Sequence, residues 1–483
     1  MTGTRPPRDL KADHKTGRTA SSAGAKVRGS FKPKPKKAVS KPVEKPAGFE
    51  ARQAAAETLW RVMKRGTFFE EAFAEAFTKP ERAKVEPRDR AFARLLVTTV
   101  LRRHGELSHV ISSHLQKPLP EPQGWVWPIL LAGAAQLLFL DTPPHAAIGL
   151  AVEQCKADPN ARRFDKLVNA VLRRVSDGGI AALTGLDAVA LNVPPWLLAG
   201  WEKTYGPEAA RRIAAASLEE PPLDVTVKGD PVEWAAKLQG VPLPTGTVRI
   251  LQAGRITDLP GFDEGAWWVQ DAAAALPARL LNAQPGQRVA DLCAAPGGKT
   301  AELAAAGAHV TAVDISAARL RRVKDNLDRL HLEAECVTAD ILTWQPAAPF
   351  NGVLLDAPCS ATGTIRRHPD ILHVRQNRGF EKLVDLQSKL LERAAALVRP
   401  GGLLMYCTCS LEPEEGEHQV SRFLAAHPEF ARVPITAPEI GGLADAITPD
   451  GDLRTLPSHR FPGDEAGSGF DGFYAARLRR QNI

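Results

Sequence analysis

The sequence predicts an α/β fold, a parallel sheet with helices on both faces, preceded by an all-α bundle and a small α+β subdomain and led by a disordered basic tail. Three observations carry this. From Trp267 onward short apolar strands alternate with helical segments, the pattern of βα units. Across residues 49–176 apolar residues recur at helical spacing, and β-branched alternation is nearly absent. Residues 1–48 hold thirteen Lys or Arg against three acidic residues, with few aliphatic ones. The chain has 483 residues, 44% of them apolar, and a formal net charge of +7. At about 100–200 residues per domain that length suggests two to four domains, and the apolar share excludes wholesale disorder.

The tail carries +10, which leaves −3 for the rest of the chain. Lys32, Lys34, Lys36 and Lys37 alternate with or follow prolines, and such a segment cannot bury enough surface to fold. It reads as a polycation that collects nucleic-acid phosphates by counterion release, or more plainly as a solubilising tail. The block 49–176 then places Ala54, Leu59, Val62 and Met63, followed by Phe69, Phe73 and Phe77, on helical faces. Phe92, Leu95, Leu96, Val100 and Leu101 continue the pattern, as do the runs 129–140 and 164–175. Breakers at Pro80, Pro87, 118–122, Pro143-Pro144 and Pro159 divide it into six or seven helices. Arg88, Arg90, Arg102, Arg103, Arg162, Arg163, Arg173 and Arg174 give basic surface, which solvation explains as well as RNA contact does.

Residues 177–262 mix helices near Trp201 and 207–218 with strands at Leu223–Val227 and 248–251 and a helix at Pro231–Leu238, a small α+β subdomain. The last block, 263–483, has strands at Arg288–Leu292, 309–313, 334–338, 353–355 and 402–406. Helices are expected to about 306, over 316–330 and over 387–398. Gly472-Phe473-Tyr474-Ala475-Ala476 reads as a late edge strand.

No run of about 18 uncharged apolar residues reads as a membrane span, and the N-terminus has no apolar core of a signal peptide. Six cysteines are too sparse for a disulfide framework, so a reducing cytoplasm is expected. Cys155, Cys293 and Cys336 lie in apolar stretches and read as small core residues.

The chemistry gathers at the strand ends. The first strand of the alternating half runs into Asp291-Leu292-Cys293-Ala294-Ala295-Pro296-Gly297-Gly298-Lys299-Thr300, and a Gly pair at such a turn lets a ligand approach the backbone. The first glycine of a phosphate loop is missing from this turn, so a nucleoside triphosphate is disfavoured. Asp314 ends the next strand, 23 residues beyond Asp291, where a ribose hydroxyl pair is held. The turn lacks the dinucleotide glycine pattern, so a nucleoside without phosphate fits better, and S-adenosylmethionine is the common one. Asp291 and Asp356 supply negative charge for its ammonium end, and Asp340 stands where an adenine amino group is met. One such aspartate is usually only a helix cap; four at successive tips are harder to explain that way.

Two further tips carry cysteines: Asp356-Ala357-Pro358-Cys359-Ser360-Ala361-Thr362-Gly363 and Tyr406-Cys407-Thr408-Cys409-Ser410. Cytosine C5 is a poor nucleophile until a thiolate adds at C6 and makes C5 enamine-like; C5 then takes a methyl from a sulfonium. A cation such as Lys299 or Arg366 would favour the thiolate, Asp356 could hold or protonate N3, and a second thiolate is a candidate base for the C5 proton. Cys407-x-Cys409 could be half a metal site, but no second Cys/His pair of ligand spacing exists, so no metal is expected. The Ala-Pro-Cys turn also lacks the aromatic clamp that adenine amino methylation would want.

These motifs, with Arg366-Arg367-His368-Pro369-Asp370, Gln270-Asp271, Thr408-Cys409-Ser410 and Asp471-Gly472-Phe473-Tyr474, resemble the Sun (Fmu) family of RNA cytosine-C5 methyltransferases, bacterial ribosomal-RNA branch, over about 264–483. The helical block, through fragments such as Phe164-Asp165-Lys166-Leu167-Val168-Asn169-Ala170-Val171-Leu172-Arg173, resembles the NusB-like RNA-binding domain that precedes the catalytic domain there. The resemblance implies a Rossmann-like S-adenosylmethionine domain at 263–483, a NusB-like domain at 49–176, and 5-methylcytosine formation in small-subunit (16S) ribosomal RNA. It implies Cys409 as the nucleophile, Cys359 as the cysteine that releases product, Asp356 as the acid shared by cofactor and base, and Lys299 near the catalytic centre. It implies cofactor binding by Cys293, Ala294, Ala295, Pro296, Gly297, Gly298, Lys299, Asp314, Arg319, Asp340 and Asp356. RNA is the expected partner, of a monomer with no DNA or membrane partner. The same chemistry on transfer RNA, or a non-catalytic RNA-binding ribosome-assembly factor, are the alternatives. Ala361 replaces the family's usual Gly, and Leu372-His373-Val374 its usual Lys-Trp-Leu, both in the expected substrate loop.

Overall fold

The computed structural model describes residues 45–121, 124–252, 254–374, 379–462 and 469–482. The expected basic tail lies, up to residue 44, outside them.

Seven α-helices form the first layer: α1 (Phe49–Trp60), α2 (Phe69–Ala76), α3 (Pro87–Arg102), α4 (His104–Ser113), α5 (Val126–Leu138), α6 (Pro144–Ala157) and α7 (Asp165–Gly178). Prolines open α3 and α6, where the missing N–H costs nothing. α5 has no charged residue and is buried on nearly every side, so it is the post around which the bundle packs. Leu59, Leu96, Ile129, Leu130 and Leu172 fill the space between them.

Three helices follow, α8 (Ala188–Asn192), α9 (Pro195–Tyr205) and α10 (Pro207–Ser217). Next comes a small antiparallel sheet built from β1 (Leu223–Val227), β2 (Val241–Pro242), β3 (Thr247–Ile250) and β4 (Trp267–Val269), with α11 (Pro231–Leu238) between β1 and β2. Its order is β2-β3-β1-β4. The Trp267–Val269 strand, at which the strand–helix alternation is expected to begin, instead pairs with β1.

The main sheet has the order β10-β12-β9-β8-β5-β6-β7. In chain order these are α12 (Ala272–Leu281), β5 (Arg288–Leu292), α13 (Gly298–Ala305), β6 (His309–Asp314), α14 (Ala317–Arg329), β7 (Glu335–Thr338), β8 (Phe350–Asp356), α15 (Ile371–Val374), α16 (Phe380–Leu397), β9 (Val398–Thr408), α17 (Glu417–Ala426), β10 (Phe430–Arg432), β11 (Leu453–Thr455) and β12 (Phe473–Arg480). β5 to β9 are parallel, as the alternation implies. The expected edge strand at Gly472–Ala476 is a correction: β12 lies inside the sheet, antiparallel to β9 on one side and covered by β10 and β11 on the other. Phe473 to Leu478 are buried accordingly, a two-faced core strand rather than an edge. Cys336 is a second correction. It sits half-buried on β7, the sheet's far edge, at the margin of the Leu320, Val323 and Leu327 cluster rather than within it, and Cys293 is likewise half-buried at the margin of its own cluster. No described helix is long and apolar enough to cross a membrane.

Candidate active site

The register of β8 and β9 builds the site. Asp356 faces Cys407 across the ladder, and Ala357 N–H continues it by donating to Cys407 O at 2.9 Å. Both strands then end, and the loops they release carry Cys359 and Cys409 forward together. Their sulfurs stand 3.5 Å apart. The Cys359 thiol is held well up, first by its hydrogen bond to Cys409 and then by burial. Gly363 N–H donates to Cys409 O at 3.0 Å. Gly363 must lack a side chain, because a Cβ would lie 2.0 Å from Gly472 O.

Lys299, on the first turn of α13, donates to Asp356 Oδ2 at 2.8 Å and lies over the Phe473 ring. Burial works against its charge, but Asp356, Cys407 and Asp291 hold the ammonium above the usual lysine range. Cys407, weighed in the sequence only as half a metal site, is buried and donates to Asp356 Oδ1 at 3.6 Å. Burial beside Asp356 pushes its thiol up. The expectation that Arg366 stands beside a thiolate is corrected. Its guanidinium is buried against Asp271 (2.9 Å), Asp471 (2.7 Å) and Gly469 O (2.8 Å), tying the sequence blocks together.

The expected cofactor residues line the neighbouring tips. After β5 the chain turns through Cys293 in the left-handed region and a cis Ala295–Pro296 bond to Gly297, at φ 101°, where a Cβ would meet Val323 Cγ1 at 2.9 Å. Ala294 N–H donates to Val313 O, and Gly298 opens α13. Burial pushes the Cys293 thiol up. Asp314 is buried at the end of β6, accepts from Ala295 N–H (3.2 Å) and Ser316 N–H (2.9 Å), and pairs with Arg319 at 3.3 Å. Arg319 also donates to Ala295 O at 2.6 Å, so it clasps the turn from outside. Asp340 is exposed and caps Leu342 N–H at 3.0 Å.

An S-adenosylmethionine fits this donor set. Asp291 accepts from Thr300 through Oδ2 at 2.5 Å, while its buried Oδ1 has no hydrogen-bond partner in the protein. Burial lifts its carboxyl to about 7. A ligand ammonium would satisfy that oxygen and restore the charge. Two residues the sequence reading missed support the adenosine end. Ile315, 70% exposed beside Asp314, and Leu342, 37% exposed near Asp340, are apolar side chains at the two tips where the ribose and the adenine are expected. An apolar residue one or two positions after a strand-tip acid is the signal that could have found them.

Ala361 explains its departure. Its φ is +59°, the left-handed region in which a Cβ costs about 1–2 kcal/mol. Ala361→Gly is therefore expected to stabilise the protein by about 0.5–1 kcal/mol after the glycine's own entropy cost. A urea melt checks it, and destabilisation would contradict it. His373, the centre of the other departure, docks on the helical bundle: its Nε2 lies 2.8 Å from Leu101 O and its ring meets His104 edge-on. Asp370 accepts from Phe69 N–H at 2.9 Å and Arg102 donates to Arg366 O at 2.8 Å, so this loop joins bundle and sheet.

A family model described as 16S rRNA methyltransferase RsmB/F matches residues 278–479, and a NusB family model matches 50–177. Ribosomal RNA small subunit methyltransferase B of Pseudomonas putida is 39% identical over 414 residues, 82% of this chain and 91% of that protein. The protein of that name from Xanthomonas campestris is 36% identical over 453 residues, covering 90% and 98%. The crystal structure of PH0851 superposes with a TM-score of 0.69 at 24% identity, over 91% of this chain and all of that one, and shares the fold.

Proposed function

The chain belongs to the 16S rRNA methyltransferase RsmB/F family, and from that premise we propose that it methylates C5 of a cytosine in small-subunit ribosomal RNA through a covalent bond to Cys409. S-adenosylmethionine is the methyl donor, and when bound it supplies an electrophilic methyl on a sulfonium sulfur. The observation that carries the reading is the pair of sulfurs 3.5 Å apart beside the Lys299–Asp356 ion pair.

Each residue's part follows from its surroundings. Cys409 is the less buried of the two sulfurs, so it is the one that attacks C6. Asp356, paired with Lys299, holds N3 and shares the proton the ring takes up as sulfur adds, a reading that the Lys299–Asp356 hydrogen bond supports. The ring's electrons then reach C5, which takes the methyl. With its own proton passed to solvent, the Cys359 thiolate takes the C5 proton, the C5–H electron pair restores the C5–C6 double bond, and the C6–S bond breaks with Cys409 leaving as a thiolate, so that aromaticity returns. Asp291, Asp314, Arg319 and Asp340, with the turn 293–299, hold the donor. The helical block 49–176 serves as the RNA-binding domain, and an unpaired cytosine is favoured, since the base must leave any stack to reach a sulfur at the sheet edge.

Purified protein with S-adenosylmethionine is expected to methylate protein-free 16S ribosomal RNA and not transfer RNA, and nuclease digestion to release 5-methylcytidine. Methylation confined to transfer RNA, or at another base atom, overturns the proposal.

A further inference from the structure

Glu415 lies in the turn Pro413–Glu415 after the β9 tip, fully buried, and the steps above do not use it. Its carboxylate collects donors from the residue that follows Cys359. Ser360 N–H donates to both oxygens, at 2.9 and 3.1 Å, and Ser360 Oγ donates to Oε2. Gln387 Nε2, from α16, donates to Oε1 at 2.9 Å and to Pro358 O at 2.9 Å. The Gln387 amide is itself oriented by Gln419 Nε2, 3.2 Å from its oxygen. The residues on both sides of Cys359 are thus held, one directly and one through Gln387. The same carboxylate reaches the other loop, because Ser360 Oγ lies 3.0 Å from Ser410 Oγ, next to Cys409. Among the described residues no Lys, Arg or His forms an ion pair with Glu415, so neutral donors alone hold a buried negative charge behind the sulfurs. A carboxylate rather than an amide is required, because every group facing it donates.

We propose that Glu415, working through Ser360 and Gln387, is a positioning residue that holds Cys359 at hydrogen-bond distance from Cys409 and commits it to the product-releasing half of the reaction. This rests on the cysteine roles given above. The negative charge of Glu415 also raises the Cys359 thiol.

Glu415→Gln replaces one acceptor with a donor at nearly constant shape. With 16S ribosomal RNA it is expected to lower turnover by roughly 10- to 100-fold, the loss of one or two charge-assisted hydrogen bonds. RNA adduct should accumulate on a denaturing gel, and KM for S-adenosylmethionine should stay unchanged. The pH profile for iodoacetamide alkylation of Cys359, read by mass spectrometry, should move to lower pH. Ser360→Ala keeps the backbone donor and should act in the same direction less strongly, which covers the case that Glu415→Gln does not fold. Wild-type adduct levels with an unmoved alkylation profile, or a loss lying wholly in KM for RNA, would overturn the proposal. Cys359→Ala runs alongside. If it traps no adduct, the cysteine roles fall and this proposal with them; if it traps adduct and neither other variant does, only the role of Glu415 falls.

Discussion

Cys409→Ala is expected to abolish methyl transfer, by more than about 10⁴-fold, because the ring can no longer be activated through C6. Cys359→Ala is expected to stop turnover differently. Attack and methyl transfer proceed, the C6–S bond fails to break, and RNA migrates with the protein on a denaturing gel. The two sulfurs are only 3.5 Å apart, yet their surroundings separate them: Cys359 is buried with its thiol held well up, while Cys409 is the more exposed. Transfer of radioactive methyl from S-adenosylmethionine, with the same samples run on the gel, checks both variants. Full activity in Cys409→Ala would contradict the assignment.

Asp271→Ala is expected to destabilise the protein by about 3–5 kcal/mol, the cost of leaving buried guanidinium groups without a partner. Asp271 accepts from Arg366 at 2.9 Å, Arg367 at 2.6 Å, Ala273 N–H at 2.9 Å and Asp471 N–H at 3.1 Å. Burial alone would raise its pKa, but the two arginines hold it below the ordinary carboxylate range. Nearby, Arg249 and Asp224 form a second buried pair, with bonds of 2.8 and 2.9 Å, and Arg249 donates to the same Gly469 carbonyl as Arg366. The small sheet, the start of α12 and the C-terminal strand therefore meet on one set of charges. Urea unfolding measures the cost, and a loss within about 1 kcal/mol, as for an exposed pair, would contradict this reading.

The strand tips were legible because each strand of the parallel sheet is a short apolar run that ends on a polar residue, and that is where an α/β sheet presents its ligands. Asp291, Asp314, Asp356, Cys359 and Cys409 could be placed on one edge from that pattern alone. What periodicity does not carry is pairing. Nothing local in Trp267–Val269 says that it joins β1, and nothing in Phe473–Arg480 says that β10 and β11 cover its far side. The sequence reads Arg366 as a cation near sulfur, whereas its donors go to Asp271, Asp471 and Gly469 O, all some hundred residues away, which no local pattern could reveal. Glu415 and Gln387 were missed for a similar reason. A buried carboxylate held by backbone and amide donors has no spacing signature, and its partners lie 28 and 55 residues away. Ala361 is the reverse case, a departure visible in the sequence whose meaning is its backbone angle.

The adduct trapped by Cys359→Ala can be digested with nuclease and protease and its cross-linked peptide sequenced by mass spectrometry. The peptide expected spans Cys407 to Ser410 with a methylated cytidine on Cys409. A nucleoside on Cys407, or a trapped peptide whose Cys409 is unmodified, would contradict the two-sulfur mechanism.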